Sequence, residues 1–252
     1  MRIRRKKIIR LAIAIPTYNE VGNIKKLVSS IQKTISQENI VTTVLIIDDN
    51  SPDGTGNLAD DLKKAHRGKK FNVEVLHRNQ KNGLGQAYID GFMKLLGQNY
   101  SHIMQMDADL SHDPKYIKEF ISAINIQGAD FVVGSRYIKG GSTPDWSLNR
   151  KLLSRFGNLY ARLVLGNKIH DYTGGYNLYS SNLLSKIDPK SLTESGGYGF
   201  LIELKSKAAK KANKVIEVPI VFMDRRHGKS KMPKNTMIKN LLLVIKIKFQ
   251  II

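Results

Sequence analysis

The run HIMQMDADLSHDP (His102–Pro114) is largely apolar until it meets Asp107 and Asp109, two carboxylates one residue apart. Charged side chains are rarely buried without a partner, so this run must end at solvent, at a cation or beside a positive group. Alternate residues of a strand project to the same side, so Asp107 and Asp109 can reach one hard cation through oxygen, with Mg2+ and Mn2+ both suitable. Taken alone, the pair reads first as a strand end with an aspartate helix cap. A second set of residues is cationic. Arg136 follows the apolar stretch DFVVGS, Arg150 and Ser154 stand four apart in SLNRKLLSRF, and Arg225 and Lys231 flank Gly228 in FMDRRHGKSK. The planar arginine fork donates two parallel hydrogen bonds and suits phosphate, and the spacing puts Arg150 and Ser154 on one helical face. A solvated basic face is the alternative. PTYNE supplies Pro16 to end a strand, Tyr18 as a flat surface and Glu20 as an acceptor, or else a plain helix entry. IIDDNSPDGT holds Asp49 and Asp53, carboxylates in an ordinary turn composition.

Strands and helices must bring these groups together. IIRLAIAI (Ile8–Ile15) reads as a strand ending at Pro16, and VTTVLIIDD (Val41–Asp49) as a second. Further strands are expected at VEVLHR (Val73–Arg78), HIMQMD and DFVVGS (Asp130–Ser135). Between them, NIKKLVSSIQKTI puts Ile24, Leu27, Val28, Ile31 and Ile35 on one helical face, and further helices run through LADDLKKAH and from near Leu84 and Pro114. Alternation of this kind implies right-handed crossovers and a mostly parallel sheet. Ligands of such sheets lie beyond the carboxyl ends of the strands. PTYNE, DDNSPDGT and DADLSH each follow a strand, so they converge on one rim. NGLGQA lacks the G-x-G-x-x-G dinucleotide fingerprint and reads as a tight turn into a helix.

The chain has 252 residues, with 41 Lys and Arg against 21 Asp and Glu, a formal charge of +20. That length suffices for one large α/β domain, and that balance favours a polyanionic partner: nucleic acid, an anionic membrane or a phosphorylated substrate. With no cysteine, disulfides, thiolate catalysis and Cys-based zinc sites are excluded. No apolar run is long enough to span a bilayer as a helix.

PTYNE, IIDDNSPDGT, GLGQAYIDGF, MDADLSHDP, GSRY, TGGY and FMDRRHGKSKM occur in that order, and together they resemble a family 2 glycosyltransferase of the dolichyl-phosphate (polyprenyl-phosphate) mannose synthase type. The resemblance runs from about Ile13 to Met232. It implies an α/β fold of GT-A type, a Rossmann-like sheet flanked by helices in one domain (11–232), after a basic arm (1–10) and before an amphipathic tail (233–252). The implied reaction moves mannose from GDP-mannose to dolichyl or polyprenyl phosphate, with inversion and a divalent metal, Mg2+ or Mn2+. By resemblance Asp107 and Asp109 hold the metal, and Pro16, Tyr18, Glu20, Ile47, Asp49 and Ala108 contact the nucleotide sugar. Arg225 and Lys231 hold its diphosphate, while Arg136, Arg150 and Ser154 hold the acceptor phosphate.

Transfer to a hydroxyl needs a carboxylate base, whereas a lipid phosphate is already an anion. ESGGYGFLIEL offers Glu194 and Glu203 but no E-D pair, and the processive Q-x-x-R-W signature is missing. The acceptor therefore reads as phosphate. The tail NTMIKNLLLVIKIKFQII is expected to lie on a membrane or a partner, as helix or strand, or to pack on the core as a helix. With the basic arm it suggests a cytoplasmic protein peripheral on the cytosolic face of an anionic membrane, alone or with a small membrane-anchoring subunit. A hexosyltransferase using a UDP-sugar is the near alternative. A basic nucleic-acid-binding protein or an inert scaffold of the same fold is the distant one, although no helix-turn-helix, RRM or zinc pattern is present.

Overall fold

Ile24, Leu27, Val28, Ile31 and Ile35 form the buried face of α1 (Ile24–Ile35), as their spacing requires. Each fully buried aliphatic side chain is worth about 1.5–3 kcal/mol. Five of them outweigh the few tenths of a kcal/mol per residue that separate ordinary helix propensities, so burial fixes this helix. The fold is a computed structural model that describes residues 8–36, 38–166, 168–192, 197–224 and 236–249.

α1 crosses between β1 (Ile9–Thr17) and β2 (Ile40–Asp48), which pair in parallel. α2 (Thr55–Ala65) leads to β3 (Phe71–His77), and α3 (Leu84–Leu96) leads to β4 (His102–Gln105). A short 3-10 turn at Pro114–Tyr116 and α4 (Ile117–Asn125) precede β5 (Phe131–Ser135). After the long α5 (Leu148–Leu165) come β6 (Asn177–Ser180), α6 (Ser181–Ile187), α7 (Gly197–Lys211), β7 (Val215–Pro219) and α8 (Thr236–Phe249). The sheet order is β3-β2-β1-β4-β6-β5-β7. β6 runs antiparallel to both β4 and β5, and the other pairs are parallel. The chain steps outward from β1 to β2 and β3, then returns to place β4 on the other side of β1. That reversal opens a crevice at the carboxyl ends of β1 and β4.

One core, with α1 and α4, covers one face of the sheet, and a second, with α3, α7 and α8, covers the other. The expected mostly parallel sheet is present, with three shifts of detail. β1 continues through Pro16 to Thr17, because Ala14 O accepts from Met106 N and even-numbered residues therefore face β4. The β4 pairing stops at Ala14, so the missing amide of Pro16 costs no ladder bond. β4 ends at Gln105 rather than Asp107. β6 and β7 are not among the expected strands, although VIEVP in β7 is rich in β-branched residues; β6 is a four-residue strand enclosed by its neighbours. The tail is a helix from Thr236 to Phe249, packed on α5 and α7 with Leu243, Val244 and Ile247 buried.

Candidate active site

The loops after β1, β2 and β4 carry three of the non-glycine residues with left-handed backbone, Asn19, Asn50 and Leu110. Asparagine tolerates that conformation and leucine does not, so Leu110 stores about 1–3 kcal/mol directly after Asp109. Strain of this size persists only where surrounding contacts impose it, and here they are in place. Asp107 N donates to His112 Nδ1 at 3.0 Å, and Ser111 N donates to Asp109 Oδ1 at 3.1 Å. Tyr88 on α3 donates its hydroxyl to Asp107 Oδ1 at 3.3 Å.

His112 is fully enclosed, stacked on Tyr176 at 4.9 Å and edge-on to Phe222 at 5.5 Å. Burial pushes its pKa down against the pull of Asp107 and Asp109. Because Nδ1 accepts a hydrogen bond from a backbone amide, Nε2 carries the ring's own proton. That nitrogen lies 3.8 Å from Asp107 Oδ2 and has no hydrogen-bond partner among the described residues; the buried Ser111 hydroxyl is in the same position. Two carboxylates beside two buried, unsatisfied polar groups fit a hard cation with an anionic ligand. Among the described residues no cluster of three His, Cys, Asp or Glu forms a closed metal site.

The nucleotide candidates of the first loops are partly spoken for. The Asp49 carboxylate forms a buried ion pair with Arg78, whose Nε also donates to Asp90 at 2.8 Å. Burial raises the Asp49 pKa, opposed by Arg78. Ile47 is buried in the second core, so its side chain does not reach the rim. Any contact of Ile47 with a nucleotide would therefore be made through its backbone near the end of β2. Tyr18 lies beneath Lys81, whose ammonium sits 4.0 Å from the ring centroid. The Glu20 carboxylate accepts from Asn23 Nδ2 at 2.8 Å, as a helix entry does. Pro16 is half-buried at the end of β1, and Ala108 is buried between the two aspartates. The Asp53 carboxylate accepts from Thr55 and Val21 and orders its loop.

Arg136 leaves the end of β5 and turns its fork inward. Nε and Nη2 donate to the two Asp171 oxygens at 2.7 and 2.8 Å, and Nη2 also donates to Thr173 Oγ1 at 2.8 Å. Burial opposes charge on Asp171, but Arg136 and Lys205 hold its carboxyl well below the usual range. The two-pronged face that suited Arg136 to phosphate is thus occupied within the protein. Beneath the same loop, Lys205 of α7 is wholly buried and donates to Gly174 O at 2.9 Å. Burial lowers its pKa to about 8, with Asp171 pulling the other way. Gly175 closes the arrangement: a Cβ there would lie 3.3 Å from Asp107 Oδ1. One loop, 171–175, therefore braces both the cationic and the carboxylate side of the site.

Arg150 pairs with the exposed Asp224 at 3.0 Å and stacks on Trp146 at 4.0 Å, and Arg136 lies 5.4 Å from the same ring. The Ser154 hydroxyl bonds to Tyr137 at 2.5 Å. Arg136, Tyr137, Ser142, Thr143, Lys151 and Arg155 line a cavity of about 150 Å³. Arg225 and Lys231 lie outside the described residues, as does Glu194. Glu203 is buried on α7 and accepts from Lys207 at 2.7 Å. Sequence reasoning overlooked Arg78, His112, Asp171, Trp146 and Lys205. His112 lay inside a quoted motif, Arg78 at the end of an expected strand and Asp171 beside TGGY, whereas nothing in α7 marked Lys205 for the core.

The Glycosyl transferase family 2 profile matches residues 12–188. The chain is 43% identical to the polyprenol monophosphomannose synthase of Mycolicibacterium smegmatis, over 88% of its own length and 81% of that protein. It is 38% identical to the undecaprenyl-phosphate mannosyltransferase of Micrococcus luteus, over 89% of its length and 88% of that protein. The fold matches glucosyl-3-phosphoglycerate synthase from Mycobacterium tuberculosis, solved in complex with Mn2+, UDP and glucosyl-3-phosphoglycerate, at a TM-score of 0.63 and 17% identity. That match covers 96% of this chain and 79% of the other.

Proposed function

Because the chain belongs to glycosyl transferase family 2, with the GT-A fold, we propose that it transfers mannose from GDP-mannose to a polyprenyl phosphate of dolichyl type, inverting the anomeric centre in one displacement. The observation that carries this reading is the loop 171–175, which holds the Arg136 cation on one side and abuts the Asp107 carboxylate on the other. The names of both mannosyltransferase relatives support the sugar and the lipid class.

Asp107 and Asp109 hold a divalent ion, magnesium or manganese, and His112 orients Asp107. Held by Asp107 and Asp109, such an ion would supply positive charge to the donor diphosphate and would neutralise charge on the leaving group. Tyr18 and Asp49 with its Arg78 brace lie on the nucleotide side. Arg136, Arg150 and Ser154 border the acceptor phosphate, with Trp146 spacing the two arginines. Arg225 and Lys231 bind the diphosphate. The phosphate nucleophile needs no base, in keeping with Glu203 being tied to Lys207. α5 and α8 expose an apolar face, including Phe156, Leu159 and Leu163 on the one and Leu242, Ile245 and Phe249 on the other. Among the described residues no helix is long and apolar enough to cross a membrane. This face lies on an anionic membrane, at its cytosolic side, and brings the site to the lipid.

The test offers labelled GDP-mannose, UDP-glucose or UDP-N-acetylglucosamine with a polyprenyl phosphate or the matching polyprenol. Label is expected in lipid only from GDP-mannose with the phosphate, to be lost in EDTA and restored by magnesium or manganese. Transfer to the bare alcohol, or from a UDP-sugar alone, overturns the assignment.

A further inference from the structure

Lys205 is wholly buried on α7, where a lysine costs more than an apolar side chain of the same length. Burial lowers its pKa to about 8, although Asp171 pulls the other way, so the folded surroundings disfavour its charge. Its bond to Gly174 O, at 2.9 Å, is one the backbone does not need, because the same oxygen accepts from Asn177 Nδ2 at 3.0 Å. Well-packed apolar residues often replace buried ions with no loss of stability. The fold alone therefore gives no reason for a lysine here.

The loop that Lys205 holds does give one. Glu217 of β7 accepts from the His170 and Asp171 amides at 2.9 and 3.3 Å and pins the start of this loop. The Asp171 carboxylate then takes Nε and Nη2 of Arg136, and accepts from Gly174 N at 2.9 Å. At the other end, a Cβ on Gly175 would lie 3.3 Å from Asp107 Oδ1. Lys205 grips the loop between those two points, at Gly174. α7 also reaches Asp107 by a second path: Phe200 stacks on Tyr88 at 5.8 Å, and Tyr88 donates its hydroxyl to Asp107 Oδ1 at 3.3 Å. One helix thus bears on the acceptor cation and on the donor carboxylate. Their separation matters, because the phosphate oxygen must approach the anomeric carbon to about 3–3.5 Å and in line.

We propose that Lys205 is a positioning residue for the transfer, fixing the loop 171–175 and with it the separation of Arg136 from Asp107. Being wholly buried, it acts through the loop and not on a substrate. This rests on the mannosyl-transfer reading of the same site.

The test is Lys205→Met, which keeps the length of the side chain and removes its charge and its bond. Steady-state transfer from GDP-mannose to polyprenyl phosphate is measured near neutral pH, beside thermal unfolding and the emission of Trp146, the only tryptophan of the chain. Each substrate keeps its own contacts, so both KM values should stay within about threefold. By contrast, kcat should fall at least about tenfold, since small misplacements of reacting groups are costly. Arg136 lies 5.4 Å from the Trp146 ring, so the emission should shift in the same variant with no substrate present. Ile31→Ala, a buried lesion on α1 far along the chain from this loop, should lose stability yet keep the kcat and emission of wild type. Lys205→Gln, which retains a donor without the charge, repeats the test if Lys205→Met does not fold. Wild-type kcat in a folded Lys205 variant, a rise in KM that accounts for the whole loss, an unshifted emission, or an equal loss of kcat in Ile31→Ala would each overturn the role of Lys205. Absence of transfer in wild type would instead overturn the reading of the reaction.

Discussion

At the scale of single residues, charge and shape can be separated at Asp109. Asp109→Asn keeps the volume and the acceptor for Ser111 N but removes the charge that a divalent ion needs. Turnover should fall at least about a hundredfold, the loss of roughly 3 kcal/mol of transition-state stabilisation, with the melting temperature nearly unchanged. His112→Leu is a different lesion. It keeps an apolar filler against Tyr176 but strips Asp107 N of its acceptor, at about 1–3 kcal/mol for a buried amide left unsatisfied. Both stability and metal affinity should drop, which calorimetry with manganese separates from a pure folding defect. Lys205 gives a pH signature. Its folded pKa is about 8 against an ordinary 10.5, so the unfolded chain binds more protons between those values. Its contribution to stability therefore rises as pH climbs through that window. Lys205→Met should remove this rise, seen as a flatter melting temperature from pH 8 to 10.5. Asp171 acts in the opposite range: its depressed pKa adds stability above the usual carboxylate range and loses it as the medium becomes more acid.

At the scale of elements, α8 has two faces with different duties. Leu243, Val244 and Ile247 are buried, and Leu242, Ile245 and Phe249 are exposed. Ile247→Ala should cost about 2–4 kcal/mol, by lost transfer energy and a cavity. Ile245→Ala should change stability by less than about 0.5 kcal/mol but weaken vesicle binding. Equal effects of the two substitutions on thermal unfolding and on sedimentation would show that the helix does not divide its labour this way. The loop 171–175 behaves as an element too, since Arg136, Lys205 and Asp107 all bear on it.

At the scale of the molecule, the net charge of +20 sets long-range behaviour. Association with anionic vesicles should fall steeply with salt, because exposed charges are screened beyond a Debye length of about 10 Å at 0.1 M.

Local pattern determined much of this protein. Periodicity placed α1, β2, β3 and β5 to within a residue or two, because a helix or strand with one buried face repeats its apolar residues at a fixed interval. It also put Asp107 and Asp109 beyond a strand on the rim where loops converge. Only the tertiary structure decided what those loops touch. Arg136 was legible as a cation after a strand, but its fork belongs to Asp171, 35 residues later, and no local pattern encodes that pairing. Ile47 was legible as a motif residue, and the sheet turned it into the core. Tertiary packing also resolved the tail as a helix, since its helical and strand patterns overlapped until α5 and α7 offered it a surface. Lys205 is the extreme case: a lysine in a helix reads as solvated, and burial beneath Gly174 follows from contacts that only the folded chain makes.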